Sequence, residues 1–420
     1  MPVRPTHVLA LGTALALTLA PAPAAATPAT TSAPDRILLS PTATPDTART
    51  LTWRSDPTPT PVLQIAPAAT PDTIQEVAGT TTATLSGRAH HTATATGLTP
   101  DTDYRYRVGD GTTYGPWLTF TTTGTDDPFT FLYFGDIQND ITRGAAPVVR
   151  AALAATPDAS LAVHAGDLID SANSDTQWSE WFDAFGTASG TLDHLAAPGN
   201  HEYSGTSLSQ RWTPQFPGNG TGPTAGADLP DTVHATDYQG VRFIVVNSNY
   251  RNAAPLDTTA WLNIQRQWLD DTLEANPNEW AVVLFHHPLF SNSPGRDNAP
   301  LRTAWLNTLE DHDVDLVLQG HDHSYARGNL TAHRTDDPNV QTGPVYAVSV
   351  TGPKMYDISP ANWTANGAEP RVQLADTQTF QTVEVDGDRL VYTARTADGT
   401  VADAFTIDKD GTAKTVTDTL

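Results

Sequence analysis

No cysteine occurs anywhere in the 420 residues, which removes disulfides, thiolate metal sites and every mechanism with a cysteine nucleophile. A lipid-modified cysteine anchor is excluded with them. Basic side chains are scarce: 23 Lys and Arg stand against 47 Asp and Glu, for a net charge of -24. A chain this acidic lacks the basic face that displaces counterions from nucleic acid, and it suits an anionic membrane surface no better. Long apolar runs are also missing. A membrane-spanning helix needs about 20 consecutive apolar residues, and no stretch reaches that length. What remains is a 39% hydrophobic composition with 17% charged residues, enough for a sizeable core, in a length that suggests two domains. Any chemistry must come from His, Asp, Asn, Glu, Ser or a bound metal.

Residues 1–26 read as an export signal: a basic start at Arg4, an apolar run over 8–20, then small residues where a signal peptidase cuts, after Ala26. The mature chain is therefore expected to be secreted and soluble. Residues 27–35 are Thr/Pro/Ala-rich and read as a flexible lead-in. From 36 to 122 short alternating runs at 36–39, 51–53, 61–65, 92–96, 104–108 and 117–120 are separated by turn residues, the pattern of a small all-β sandwich. The stretch Gly97-Leu98-Thr99-Pro100-Asp101-Thr102-Asp103-Tyr104 resembles the tyrosine-corner region of fibronectin type III domains.

From 129 onward strands alternate with helices. Buried strands are expected at 129–134, 160–164, 241–246, 280–285, 314–318 and 345–350, and helices at 145–154, 259–274 and 301–310. A meander at 380–385, 389–396 and 401–407 closes the second domain, 129–420. The fold class is thus α/β (α+β): a β-sandwich flanked by helices, preceded by the small all-β sandwich.

Polar residues close five of the apolar runs. They are Gly135-Asp136-Ile137-Gln138, Gly166-Asp167, Gly199-Asn200-His201-Glu202, His286-His287, and Gly320-His321-Asp322-His323. Ligand sites in open α/β sheets lie beyond the carboxyl ends of strands, so the five endings can converge. Asp, Asn and His donors suit Zn, Mn or Fe. Seven or more exceed one ion's needs, which favours two metals bridged by a shared carboxylate. Two such ions, roughly 3.5–4 Å apart, can hold a hydroxide between them and clamp a phosphoryl group for in-line attack.

These blocks, in this order, resemble the calcineurin-like metallophosphoesterases over 129 to about 350. The sandwich in front resembles the amino-terminal domain of the purple acid phosphatases, a branch of that superfamily. The resemblance implies that Asp136 binds the first metal and that Asp167 bridges both. It implies that Asn200, His286 and His321 hold the second metal, that His323 returns to the first, and that His201 orients phosphate or protonates the leaving oxygen. Two departures stand out. The Tyr that colours purple acid phosphatases is replaced by Asp170, and the His that other members place after the first Asp is Gln138. Either could complete the first metal site; Gln138 is favoured because it lies one pleat from Asp136 on the same side of the strand. The family's further phosphate-facing His is absent, and Arg296, in the loop 291–298, could offer a bidentate phosphate contact in its place.

The sequence therefore reads as a secreted binuclear metal-dependent phosphoesterase in which a metal-bridged hydroxide attacks a small phosphate monoester, like an acid phosphatase. Catalytic His201 and Arg296 act beside a metal set of Asp136, Gln138, Asp167, Asn200, His286, His321 and His323. A phosphodiesterase on the same scaffold and an inactive secreted binding protein are the alternatives. No nucleic acid, membrane or partner protein is implied.

Overall fold

The computed structural model describes residues 1–5, 33–57, 60–125, 128–411 and 413–420. The expected signal-peptide cut after Ala26 and the lead-in up to residue 32 lie outside the described residues. The amino-terminal part holds eight strands: β1 (Asp35–Pro41), β2 (Ala48–Ser55), β3 (Val62–Pro67), β4 (Gln75–Ala78), β5 (Thr80–Leu85), β6 (Arg88–Thr96), β7 (Asp103–Gly109) and β8 (Leu118–Thr121). Strands β4, β3, β7 and β8 form one sheet facing β1, β2, β6 and β5. Leu39, Leu51, Trp53, Leu63, Ile65, Tyr106 and Val108 fill the space between. Each contributes about 1.5–3 kcal/mol by leaving water. The hydroxyl of Tyr104 accepts the Thr99 backbone N–H at 2.9 Å, tying β7 to the loop before it. Strands β4 and β5 were not foreseen; their residues are mostly exposed and carry little apolar alternation.

The rest of the chain supplies β9 (Phe129–Phe134), β10 (Leu161–His164), β11 (Asp193–Ala196), β12 (Tyr203–Ser204), β13 (Ser207–Leu208), β14 (His234–Tyr238), β15 (Val241–Val245), β16 (Trp280–Leu284), β17 (Leu316–Gln319), β18 (Tyr325–Leu330), β19 (Val340–Gln341), β20 (Val345–Val348) and β21 (Ala368–Leu374). The expected meander follows as β22 (Thr379–Asp386), β23 (Arg389–Thr396) and β24 (Val401–Asp410), extended by β25 (Ala413–Asp418). Seven strands form a sheet in the order β14-β15-β16-β17-β20-β18-β21, with β15, β16, β17 and β20 parallel. Its partner sheet holds β9, β10 and β11 in parallel, with the meander joined through β22 to β9.

The pleat explains the layering. On β9, Phe131 and Tyr133 enter the core between the sheets, while Leu132 and Phe134 pack beneath helices Ala146–Ala155 and Asp175–Phe185. On β16, Val282 and Leu284 face the same intersheet core. Val283 faces outward toward helices Thr258–Glu274 and Ala299–Asp311, which present Trp261, Leu262, Leu269, Leu301 and Trp305. The result is helices, two sheets and helices in successive layers. Among the described residues no helix is long and apolar enough to cross a membrane.

The boundary read at 122–129 marks a change of pattern and not a break in the sheet. Strand β1 pairs in parallel with β11 at Leu39 and Asp193, so β1, β2, β6 and β5 continue the β9-β10-β11 sheet into one of twelve strands. Ala33–Leu420 form one compact unit. Beside that join the buried Arg49 guanidinium lies 3.0 Å from Asp193, and Tyr238 donates its hydroxyl to the same carboxylate at 3.1 Å. Removing one partner of such a buried pair typically costs about 3–5 kcal/mol, because the other charge is stranded. Pairing between segments so far apart in sequence leaves no local pattern, so it is invisible before folding.

Candidate metal centre

Strands β9, β10 and β11 on one side, and β16 and β17 on the other, run parallel within their sheets and bring their carboxyl ends to one place. The chain leaves several of these ends by a left-handed residue. Asp136 has φ 46°, Asp167 52°, His321 75° and His323 47°. Non-glycine residues held there cost of order 1–3 kcal/mol each and persist where the surroundings enforce them. Two glycines allow the close approach of backbone to carboxylate. A Cβ on Gly199 would sit 2.1 Å from Asp167 Oδ1, and one on Gly320 would sit 2.5 Å from Asp136 Oδ2.

Two sets of buried donors result, each within 4.8 Å: Asp136, Asp167 and His323, and Asp167, His286 and His321. Asp167 belongs to both. Asn200 Oδ1 lies 3.2 Å from His286 Nε2, beside the second set. Gln138 joins the first, with its amide nitrogen 2.8 Å from Asp167 Oδ2 and 3.1 Å from His323 Nε2. The rings are oriented from behind: His286 Nδ1 meets the Ala165 carbonyl at 2.8 Å, and His323 Nδ1 meets that of Lys354 at 3.0 Å. Each Nδ1–H is thereby spent on a carbonyl, so that Nε2 is the ring nitrogen turned toward the cluster. Asp136 Oδ1 and Gln138 Oε1 are buried and accept no hydrogen bond. Buried oxygens without donors, among imidazole lone pairs, fit a cation.

Burial, assisted by Asp167, pushes the Asp136 carboxyl well above the usual range. For Asp167 burial acts upward too, but the charge and hydrogen bond of His286 outweigh it and hold the carboxyl low. Burial would depress His286, and its carboxylate neighbours instead raise it to about 9. Burial followed by Lys354 takes His323 down to about 3, and burial with the other rings depresses His321. His321 and His323 are thus held neutral, the form that ligates metal, whereas His286 would give up its proton as a cation replaces it beside Asp167.

A cavity of about 400 Å³ opens onto this cluster. His201, Arg296, His287, Arg251, Lys354 and Tyr356 are among its walls. A larger cavity, about 610 Å³, lies elsewhere, lined by β8 and the start of β11, away from these donors. His201 donates its backbone N–H to Asp167 Oδ1 at 2.8 Å, and its Nδ1 meets the Asp170 carbonyl at 2.6 Å. Asp170 is not in the cluster: its carboxylate takes the Asn139 amide at 2.8 Å and lies 3.6 Å from His201 Nδ1. Arg296 is held by Asp322, Nε to Oδ1 at 3.2 Å, by the His321 carbonyl at 3.0 Å, and over the Tyr356 ring at 4.9 Å. All nine residues expected at the site therefore meet around one cavity or the cluster beneath it.

Supporting residues escaped the sequence reading. Glu202, fully buried, accepts backbone N–H groups from Gly199 at 2.7 Å and from Asp167 and Leu168 at 2.9 Å, lacing two strand ends together. Its position inside the Gly199–Glu202 block was the available signal. Lys354 and Tyr356 follow β20, a sixth parallel strand whose end enters the same site, and strand-end reasoning extended to 350 would have reached them. His287 turns its ring to 4.2 Å from that of His321 and bonds Ser248. The His286-His287 block marked its position, and no role was drawn from it.

Comparison with known proteins follows the same division of the chain. Residues 129–325 match the calcineurin-like phosphoesterase family, and residues 34–122 match the purple acid phosphatase N-terminal domain. Purple acid phosphatase 21 of Arabidopsis thaliana is 26% identical over 277 residues, 62% of this chain and 57% of that protein. An uncharacterized protein of Mycobacterium tuberculosis is 28% identical over 283 residues, 58% of this chain and 51% of that one. The chain thus spans a little over half the length of the curated relatives it matches. Among solved structures, a purple acid phosphatase from yellow lupin seeds superposes with TM-score 0.73 at 19% identity, over 90% of this chain and 75% of that one. PhoD superposes with TM-score 0.64 at 14% identity, over 91% of each. At such identities the superpositions speak for the fold.

Proposed function

Because the chain carries a calcineurin-like phosphoesterase domain behind a purple acid phosphatase N-terminal domain, and is homologous to purple acid phosphatases, we propose that it is a secreted binuclear phosphomonoesterase. The observation that carries this reading is the pair of buried donor sets sharing Asp167. Asp136, Gln138, Asp167 and His323 would hold one cation; Asp167, Asn200, His286 and His321 would hold the other. The donors suit Fe, Zn or Mn. When bound, two such ions supply an activated water as nucleophile and neutralise charge on the transferring phosphoryl group.

The remaining work belongs to the chain's own side chains. With Nδ1 engaged by Asp170, His201 keeps Nε2 for the leaving oxygen and donates a proton to it. Arg296, restrained by Asp322 and Tyr356, presents its remaining N–H groups to phosphoryl oxygens. The ring of Tyr356 limits that guanidinium's freedom, which lowers the entropy lost on binding. With Asp170 in place of the Tyr that gives purple acid phosphatases their colour, the metal-loaded protein should be colourless. Export rests on the residue order of 1–26, and a fibronectin type III-like reading of 36–122 is supported by the Tyr104 to Thr99 bond.

Asp167→Asn tests the proposal. One substitution should reduce kcat on an aryl phosphate by at least about a hundredfold and bring metal content below two per chain, because one shared carboxylate serves both sets. Metal analysis and turnover are measured on the same preparation; undiminished turnover would sink the assignment.

A further inference from the structure

We propose that the leaving group of the substrate is itself anionic, carrying a carboxylate or a second phosphate that Arg251 and Lys354 receive at the rim of the cavity. The inference rests on the phosphoesterase reading above. It starts from an anomaly of charge. Bases are outnumbered by acids 23 to 47, and most of them are paired: Arg36, Arg54 and Arg211 share Asp175, Arg327 takes Asp403, and Lys414 takes Asp313. Three basic residues nevertheless line the cavity at the metal cluster, and its only lining carboxylate is Asp167, a proposed ligand.

The three are not equivalent. Arg296 is already committed to Asp322. Arg251 donates to the Asp297 backbone carbonyl at 3.2 Å and lies 5.1 Å from the Tyr250 ring. Lys354 has its Nζ 5.4 Å from the Tyr356 ring. Neither Arg251 nor Lys354 forms an ion pair among the described residues. Where carboxylates are abundant, leaving two cations unpaired at a cavity forgoes available partners, and the pocket gains what the surface would otherwise take. They also stand apart. Arg251 comes from the short helix Tyr250–Ala253 near His287, whose ring is 6.4 Å from that of Tyr250. Lys354 comes from the loop after β20, next to Tyr356, whose ring is 4.7 Å from His323.

The cations therefore flank the reacting centre rather than duplicate it. Two metals and Arg296 suffice for the phosphoryl oxygens, and a neutral leaving group would have no use for more positive charge. An anionic one would have to enter against the field of a protein with net charge -24, and flanking cations offset that repulsion locally.

The test uses the full metal-loaded chain and three esters: 4-carboxyphenyl phosphate, its neutral match 4-carbamoylphenyl phosphate, and 1,4-phenylene bisphosphate. The wild type should favour at least one anionic ester over the neutral one by about tenfold in kcat/KM, and that preference should shrink as salt rises. Whichever anionic ester is preferred identifies the second group as carboxylate or phosphate. In R251A combined with K354M the preference should fall toward one, with each single variant between, while metal content stays at the wild-type level. A wild-type preference near one, or one that neither salt nor the double variant reduces, overturns the inference and leaves the phosphoesterase reading standing. Hydrolysis of none of the three esters overturns both.

Discussion

The first-metal position turns on Gln138. Where the family resemblance expects a His, an amide stands buried between Asp167 and His323, its carbonyl oxygen unpartnered. An amide carbonyl is a neutral, weaker donor than imidazole, so the first position should bind its cation less tightly than the second. Gln138→Ala should weaken one metal by about 10–100-fold and leave the other nearly unchanged, as read by calorimetric metal titration. Equal weakening of both ions, or of neither, would remove Gln138 from the ligand set. The spacing favoured Gln138 over Asp170 by treating 136 and 138 as neighbours on one pleat, but both lie beyond β9 and Asp136 is left-handed at φ 46°, so the turn and not the pleat brings the Gln138 amide to Asp167 and His323. Spacing could not show where Asp170 goes. Its contact with His201 depends on the turn after β10 meeting the turn after β11, which only packing arranges.

At the scale of the element, the site is a set of strand endings, and its accuracy depends on the turns that follow them. The N–H of His201 and the missing side chain of Gly199 together fix the Asp167 carboxylate. In Gly199→Ala the new methyl would lie 2.1 Å from Asp167 Oδ1, which cannot retreat without losing the His201 N–H. The expected outcome is loss of both metals to well under half occupancy with the circular dichroism of the fold retained; full occupancy by metal analysis would show that the turn can relax. Many strands and two long helices were legible because burial imposes a period: helix Thr258–Glu274 was expected at 259–274 and helix Ala299–Asp311 at 301–310, whereas helix Asp175–Phe185 and strands β14, β18 and β21 were not anticipated. Strands β4 and β5 were missed for another reason: exposed strands carry no such period.

At the scale of the whole molecule, acidity and buried histidine set the response to pH. His164 and His194 stack at the heart of the layer under helix Asp175–Phe185, with ring centroids 5.3 Å apart and Nε2 to Nδ1 at 3.0 Å. Burial pushes His194 down to about 4, and burial with the neighbouring His194 pushes His164 down as well. In the unfolded chain both rings titrate near 6.5. The unfolded state therefore takes up more protons over this interval, and the stability these rings contribute is whole above pH 6.5 and lost as pH falls toward 4. Urea unfolding of the metal-loaded protein should give a free energy lower by at least about 2 kcal/mol at pH 5 than at pH 7.5. Equal values at the two pH values would mean the pair is not held neutral. From the sequence alone came the absence of thiol chemistry, the alternation that makes two layered sheets, and the residues able to bind metal, because these depend on composition and on short-range periodicity. Only the tertiary structure decided that the amino-terminal strands continue the β9-β10-β11 sheet through β1 and β11, that Asp170 contacts His201, and that Arg251 and Lys354 line the cavity. Each of these joins segments distant along the chain, and such contacts are settled by which surfaces can be buried together, a property no local stretch of sequence carries.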